Sequence, residues 1–168
     1  MAARAQQPGN QLVKINLGCG SRSEQGWVNV DIVNLPGVDI CWDLDHVPWP
    51  FEDESAEEIK AEDVFEHVTD PIAFMLQCWR VLRPNGHLRL RTSYWKSKNA
   101  FTDPTHKRFC TEQTFDYWCE GTDFFNRYWD AYSRGTGASF QKAEWWLDGE
   151  ELVMDLIRLP WRMTIARS

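Results

Sequence analysis

Apolar and polar positions follow one another along this chain in a way that predicts short strands separated by turns. Residues 12–17 (LVKINL) and 27–32 (WVNVDI) are apolar-rich runs, the second with alternation, and both are typical of strands. A weaker strand is predicted at 57–61, and a short edge strand at 38–42. We expect these runs to lie in one sheet.

The clearest helix is predicted from Asp70 to Arg83. Its apolar residues recur at helical spacing, Asp70 suits the N-cap and Pro71 suits the first turn. The alternating sequence HLRLRTSY follows and predicts a strand, and a strand soon after a helix favours a parallel βαβ arrangement. A second, short helix is predicted over 111–119, with Thr111 as its cap. The pattern is that of the α/β class.

Two strand-like runs near the C-terminus flank Asp148-Gly149. Asp-Gly between such runs is a strong hairpin signal, so the mostly parallel sheet should finish with an antiparallel hairpin. Trp145 and Trp146 are neighbours on the first of these runs and should point to opposite faces. We therefore expect at least one of them in the core.

Length and composition predict a single domain over residues 1–168, of which 1–10 should be flexible. An apolar content of 43% is enough for one core. The net charge of −7 without a dense Lys/Arg block argues against a nucleic-acid partner. No apolar run approaches the ~20 residues of a membrane span, and the N-terminus lacks a signal-peptide stretch. We expect a cytoplasmic protein without a membrane partner, and the sequence predicts no oligomeric state.

Cysteine and histidine positions give no metal-binding pattern. The five cysteines are an odd number without paired spacing, which suits reduced thiols. The four histidines are scattered along the chain. The sequence therefore predicts no metal site.

The first candidate site is Gly18-Cys19-Gly20, at the end of the first predicted strand. Glycines let a ligand approach the backbone, and ligands of such folds bind at the carboxyl edge of the sheet. Alone, this Gly-x-Gly is as consistent with a tight turn. Asp31, at the end of the second strand, is placed to accept hydrogen bonds from two ribose hydroxyls. Together they favour a nucleoside cofactor.

The connection after the glycines separates two cofactor classes. A dinucleotide needs a third glycine and a helix N-terminus for its pyrophosphate, but the third position is Ser23. The six residues 21–26 are too few for a helix of three turns. This disfavours NAD and favours S-adenosyl-L-methionine. Arg22 is either the partner of the cofactor carboxylate or a solvated loop arginine.

From about Lys14 to Phe115 the sequence resembles the type 11 methyltransferases of class I. Four segments carry the resemblance: NLGCGSRSEQGWVNVDI, DLDHVPWPFEDESAEEIKAEDVFEHV, WRVLRPNGHLRLR and DPTHKRFCTEQTF. The resemblance implies a Rossmann-like class I methyltransferase fold, in a shortened subgroup that lacks the first helix. S-adenosyl-L-methionine is then the expected cofactor.

The predicted cofactor-binding residues lie at the ends of the predicted strands. They are Gly18, Cys19, Gly20, Arg22, Asp31, Ile32, Asp43, Leu44, Ala61 and Glu62. The resemblance implies that Asp31 binds the ribose hydroxyls and that Ile32 packs on the adenine. It also implies that Asp43 accepts the adenine amino group beside the Leu44 backbone; the alternative is that Asp43 belongs to a solvated turn. Residues 61–62 would approach the methionine amino end.

The candidate catalytic residues are His106, Asp103 and His67. His67 belongs to the Glu-His pair that the family commonly carries, and acts either as a base or as a loop-stabilising residue. Asp103 and His106 follow the strand of HLRLR, on the side where an acceptor would bind. A histidine held by an aspartate can take a proton from an oxygen or nitrogen nucleophile. The alternative is that His106 ties down its loop.

The sequence thus predicts methyl transfer to a small-molecule or saccharide-like acceptor. Two alternatives remain: a catalytically silent subunit that binds S-adenosyl-L-methionine or assists assembly, and a nicotinamide-dependent oxidoreductase. Aromatic residues are dense between 94 and 132. They form either a lid over the pocket or additional core.

Overall fold

The computed structural model describes residues 12–160, which are built on one seven-stranded sheet. The strands are β1 (Val13–Leu17), β2 (Val28–Asp31), β3 (Ile40–Cys41), β4 (Ala56–Glu62), β5 (Leu82–Ser93), β6 (Phe140–Asp148) and β7 (Glu151–Arg158). Their order is β3-β2-β1-β4-β5-β7-β6. The first five pair in parallel, and β7 pairs antiparallel with β5 and β6. This confirms the predicted α/β class and its closing hairpin. Residues 1–10, predicted to be flexible, lie outside the described residues.

The helices are α1 (Pro71–Val81), α2 (Asn99–Thr102), a 3₁₀ helix (Thr114–Trp118) and α3 (Asp123–Ser133). The predicted cap of α1 is confirmed, since Asp70 Oδ1 accepts the Ala73 amide at 2.9 Å. Thr111 as a cap is wrong. The Thr111 amide donates to the Thr114 hydroxyl at 2.8 Å, and the short 3₁₀ helix begins only at Thr114.

The connection between β1 and β2 contains turns and no helix, as the shortened pattern predicted. Trp27, in this connection, lies against the sheet. The ammonium groups of Lys14 and Lys60 are 5.5 and 5.2 Å from the centre of its ring. These contacts let one aromatic ring cover strands where a longer connection would place a helix.

The sheet has one apolar and one charged face. Ile15, Ile59 and Leu88, on three neighbouring strands, are fully buried in the same core as α1. Alternate positions point the other way, where Lys14 Nζ and Glu58 Oε2 pair at 2.9 Å. Alternation of this kind is typical of sheets covered by helices on one face.

The closing hairpin has a two-residue loop, Gly149-Glu150, because Asp148 pairs with Glu151. Gly149 has a φ of +63°, which glycine adopts without strain. The prediction that Trp145 or Trp146 is in the core is wrong: they are 45% and 37% exposed. The reason is that β6 is the last strand of the sheet and is exposed on both faces from Glu144 onward.

All five cysteines are free. Within residues 12–160, no helix is long and apolar enough to cross a lipid bilayer.

Candidate functional site

A cavity of about 390 Å³ lies at the carboxyl ends of β1, β2 and β4. The strand order reverses between β1 and β4, the place where open α/β sheets bind ligands. Twelve residues line it: Gly18, Asp31, Ile32, Trp42, Asp43, Leu44, Asp45, Asp63, Val64, His67, Val68 and Lys107. This volume is within the usual range of small-molecule sites.

The turn after β1 requires its first glycine for two reasons. Gly18 has a φ of +61°, and a Cβ placed on it would lie 2.3 Å from Val64 Cγ2. Gly20 has a φ of +52° with open space around it. Its amide donates to Asp31 Oδ2 at 2.7 Å, and the Val33 amide donates to Oδ1 at 2.9 Å. The turn and the end of β2 are thereby held together beside the cavity.

Ile32, directly after β2, and the segment after β3 form an apolar surface with an acidic turn beside it. Ile32 is 63% exposed at the cavity, near Leu44, whose carbonyl accepts the Trp49 indole N–H at 3.0 Å. Asp43 Oδ1 accepts the Asp45 amide at 2.9 Å, which fixes the turn. Asp43 is thus part of a turn and also lines the cavity, so the two predicted interpretations describe one arrangement.

Beyond β4, the cavity is lined by residues that the sequence analysis missed. Ala61 is fully buried in the sheet, and Asp63 and Val64 line the cavity instead of Ala61 and Glu62. Asp63 Oδ2 accepts from Arg22 Nη2 at 2.9 Å and from Arg91 Nη2 at 3.0 Å. Arg22 is therefore an ion-pair partner of a cavity residue, which neither interpretation of it foresaw.

Five predicted cofactor-binding residues line the cavity, and we call them the strand-end wall: Gly18, Asp31, Ile32, Asp43 and Leu44. The other five do not line it: Cys19, Gly20, Arg22, Ala61 and Glu62. Burial raises the pKa of the Cys19 thiol, with Asp31 contributing in the same direction. The missed residues Trp42, Asp45, Asp63 and Val64 each follow or precede a predicted residue by one or two positions. Their proximity in sequence to the predicted residues is the signal by which they could have been found.

The three candidate catalytic residues come together beside the cavity, and we call them the histidine cluster: His67, Asp103 and His106. One ring nitrogen of each histidine and one carboxylate oxygen of Asp103 lie within 4.8 Å of one another. The two imidazole rings are 4.7 Å apart in an edge arrangement. His67 lines the cavity itself. Thr105, which the sequence analysis did not single out, links the cluster through its hydroxyl to His67 and Asp103.

The loop that carries His106 is fastened to the loop that carries His67. The Lys107 amide donates to the Glu66 carbonyl at 2.8 Å. The Arg108 guanidinium donates to the carbonyls of Phe65 and Val68. Burial of this guanidinium lowers the pKa of Arg108. One backbone hydrogen bond and two bonds from the Arg108 side chain therefore hold the two loops, and with them the two histidines, together.

Most aromatic residues of the segment 94–132 lie away from the cavity. Phe115 and Trp118 are buried against Phe65, which favours the additional-core interpretation. Trp95 and Phe101 are 42% and 64% exposed. Among the residues described, Trp42 alone supplies an aromatic ring to the cavity lining.

A family model described as "Methyltransferase domain", the type 11 model, matches residues 22–90. Over these residues the chain is similar to type 11 methyltransferase domains. The match begins just after the glycine turn and ends in β5, so it includes His67 and every residue of the strand-end wall except Gly18. No curated protein matches the sequence.

Solved structures show that the methyltransferase domain has the class I methyltransferase fold. An S-adenosylmethionine-dependent methyltransferase from Thermotoga maritima is 14% identical, with a TM-score of 0.59 over 86% of this chain and 81% of that one. The 1,6-didemethyltoxoflavin-N1-methyltransferase of Burkholderia thailandensis, with its substrate and S-adenosylhomocysteine bound, is 13% identical, with a TM-score of 0.58 over 90% and 73%. A Haloferax volcanii complex of the Trm112 activator with a methyltransferase gives 13% identity and a TM-score of 0.55 over 90% and 85%. The predicted family, fold and cofactor, S-adenosyl-L-methionine, are confirmed.

Proposed function

We propose that this methyltransferase domain transfers a methyl group from S-adenosyl-L-methionine to a neutral small-molecule or saccharide-like acceptor. One observation carries the proposal: a single cavity has the strand-end wall on one side and His67, with its cluster, on the other. The two sides offer different chemistry, as a site for two ligands requires.

The strand-end wall fits an adenosine. Each carboxylate oxygen of Asp31 accepts one backbone amide and has a further lone pair for a ribose hydroxyl. Ile32 and Leu44 present apolar surface for a flat ring, and the second carboxylate oxygen of Asp43 suits an exocyclic amine. When bound, the cofactor supplies a methyl group that its sulfonium already activates.

The charge of the cavity restricts the acceptor. Asp31, Asp43, Asp45 and Asp63 line it, and Lys107 is the single lysine or arginine among its described lining residues. Lys107 is itself 3.7 Å from Asp45 Oδ2. Arg22 and Arg91 pair with Asp63, but no ion pair is formed by Asp31 or Asp43 among the described residues, and their negative charge repels phosphorylated or carboxylated acceptors. Hydroxyl-rich neutral molecules fit better, and the histidine cluster is placed to contact their oxygens.

The chain itself contributes to catalysis by positioning the acceptor nucleophile. The two loops that carry the histidine cluster are held by one backbone hydrogen bond and by two hydrogen bonds from the Arg108 guanidinium. A nucleophile aligned in such a frame gains much of its acceleration from proximity and orientation. The small-molecule substrate named for the Burkholderia enzyme supports this acceptor class.

Calorimetry with S-adenosylhomocysteine and NAD, followed by turnover, tests the proposal. We expect S-adenosylhomocysteine to bind the wild type and Asp31→Ala to bind it at least about 10-fold more weakly, a loss of about 1.4 kcal/mol. Asp148→Ala, in the hairpin, is the matched control and should bind normally. Unchanged binding by Asp31→Ala, or tight NAD binding without heat from S-adenosylhomocysteine, contradicts the assignment.

Turnover against a panel of neutral sugars, phosphorylated sugars and small amines then tests the acceptor class. We expect methylation of a neutral acceptor and its loss in His67→Ala and His106→Ala. Cofactor binding without turnover of any acceptor favours the silent subunit instead.

A further inference from the structure

We propose that His67, Asp103 and His106 bind one divalent transition-metal ion at the acceptor side of the cavity. The inference rests on the proposed function for the use of the ion, but binding of the ion is a property of these residues alone. The sequence predicted no metal site because the histidines are scattered along the chain. The fold removes that reason by bringing two of them together with a carboxylate.

The hydrogen bonds of His106 leave one of its nitrogens free for a ligand bond. Its Nδ1 lies 3.0 Å from the carbonyl oxygen of Ala100. A carbonyl can only accept, so Nδ1 carries the proton and Nε2 has an unshared electron pair in the neutral ring. Metal-binding histidines are commonly oriented by a hydrogen bond of this kind.

The same reasoning applies to His67 through Thr105. The Thr105 hydroxyl is 2.6 Å from Asp103 Oδ1, and a carboxylate accepts, so the hydroxyl donates to Asp103. The His67 Nδ1, 2.9 Å from the same hydroxyl oxygen, must then be the donor to it. His67 Nε2 is therefore also unprotonated in the neutral ring.

Two neutral imidazoles and one carboxylate form a ligand set with preferences of its own. Imidazole nitrogen suits zinc, cobalt, iron and copper, whereas magnesium and calcium prefer oxygen alone. Bonds to such ions are about 2.0–2.2 Å long, so ligand atoms that lie within 4.8 Å of one another must move closer together to bind one ion. Asp103 lies on an exposed loop where a side-chain rotation can supply this movement.

Three protein ligands leave a coordination position open. In structural sites a fourth protein ligand closes the shell, whereas in catalytic sites water or substrate takes that place. His67 lines the cavity, so the open position faces the space assigned to the acceptor. There the ion would bind an acceptor oxygen and make its hydroxyl more acidic, with the proton leaving to solvent.

Metal titration of the chelator-treated chain tests the inference. With Co²⁺ we expect one equivalent to bind with visible absorption bands typical of nitrogen and oxygen ligands and without a thiolate charge-transfer band. Zn²⁺ should displace it, and excess Mg²⁺ should not. His106→Ala and Asp103→Asn should weaken binding at least about 100-fold, and Thr105→Val, which removes only the orienting hydroxyl, about 10- to 100-fold. The matched control is His87→Ala, because His87 is an exposed histidine on β5.

The results separate this inference from the proposed function. Circular dichroism shows whether each variant is folded, and Thr105→Val provides a mild variant if His106→Ala is not. No Co²⁺ or Zn²⁺ binding by the wild type, or equal binding by His87→Ala and His106→Ala, overturns the metal site. If S-adenosylhomocysteine still binds in that case, the cofactor assignment stands. If metal binds and S-adenosylhomocysteine does not, the metal site stands and the proposed function fails.

Discussion

The strand-end wall and the histidine cluster face one cavity but are built differently. The wall consists of residues at or just after the ends of adjacent parallel strands, so the sheet itself places them. The cluster depends on two loops that contact each other through Arg108 and Lys107. The proposed cofactor side of the cavity is therefore positioned by the sheet. The geometry of the acceptor side, in contrast, depends on packing between loops.

The largest effect is expected from Phe65→Ala, beneath the histidine cluster. Phe65 is 1% exposed and contacts the rings of Phe74, Phe115 and Trp118. Removing such a ring should lower the free energy of unfolding by about 3–5 kcal/mol, measured by urea denaturation. Phe101→Ala is the matched control, because Phe101 is 64% exposed, and should cost about 1 kcal/mol or less. Equal losses would show that the acceptor side does not depend on this packing.

Gly18→Ala tests the strand-end wall in the same assay. The new Cβ meets Val64 Cγ2 and the backbone has a positive φ, so we expect a loss of about 2–4 kcal/mol. Gly20→Ala has the same kind of backbone in open space and should cost about 1–2 kcal/mol. The difference between the two variants measures the close approach of Val64. If Gly20→Ala proves the more costly, this explanation of the turn is wrong.

A smaller, pH-dependent effect is expected at Asp70, which caps α1 and pairs at 2.7 Å with Arg134, the residue that follows α3. Partial burial opposes ionisation, but bonds from the Ala73 amide and Arg134 outweigh it and lower the pKa of Asp70. A lowered pKa in the folded state means that the contribution is present above the unfolded pKa of about 3.9 and is lost below it. Asp70→Ala should therefore cost about 1 kcal/mol at pH 7, with the difference from wild type shrinking during acid titration. Asp70→Asn, which retains a capping side chain, should cost less.

The smallest effect concerns the thiols. Burial raises the pKa of Cys110 and of Cys119 to about 12, and burial also raises the pKa of Cys78. At pH 8 we expect a thiol reagent to label one cysteine quickly, the exposed Cys41 near the strand-end wall. A raised pKa in the folded state is stabilising below the unfolded value, so stability should fall as the pH rises above about 8.5. Fast labelling of Cys110 would show that the loop after the histidine cluster opens readily.

Prediction from sequence succeeded where the signal was local. The glycine turn, the strand before Asp31, the Asp70 cap and the hairpin each depend on a few neighbouring residues. The helix α3 was missed although Thr122 caps it, with its hydroxyl 3.1 Å from the Phe125 amide. The aromatic residues there are dense, so they were interpreted as a lid or as core, and their helical spacing was not recognised.

The errors at the site have a long-range cause. Asp63 and Val64 line the cavity in place of residues 61–62 because the cavity extends beyond the end of β4. Where β4 ends relative to the cavity depends on the register in which it pairs with β1. The meeting of His67 and His106 depends on hydrogen bonds between two loops that are far apart in sequence. The spacing of residues along the sequence does not indicate such contacts. The roles of the site residues therefore remain predictions for the experiments above.

The difference between the apolar and the charged face of the sheet affects how the domain responds to denaturant and to heat. Its charged face has less apolar surface to expose on unfolding than a sheet buried between two helical layers. Both the urea dependence of the unfolding free energy and the heat-capacity increment scale with newly exposed surface. This domain should therefore unfold with a shallower urea slope and a flatter stability curve than a doubly covered α/β domain of equal length.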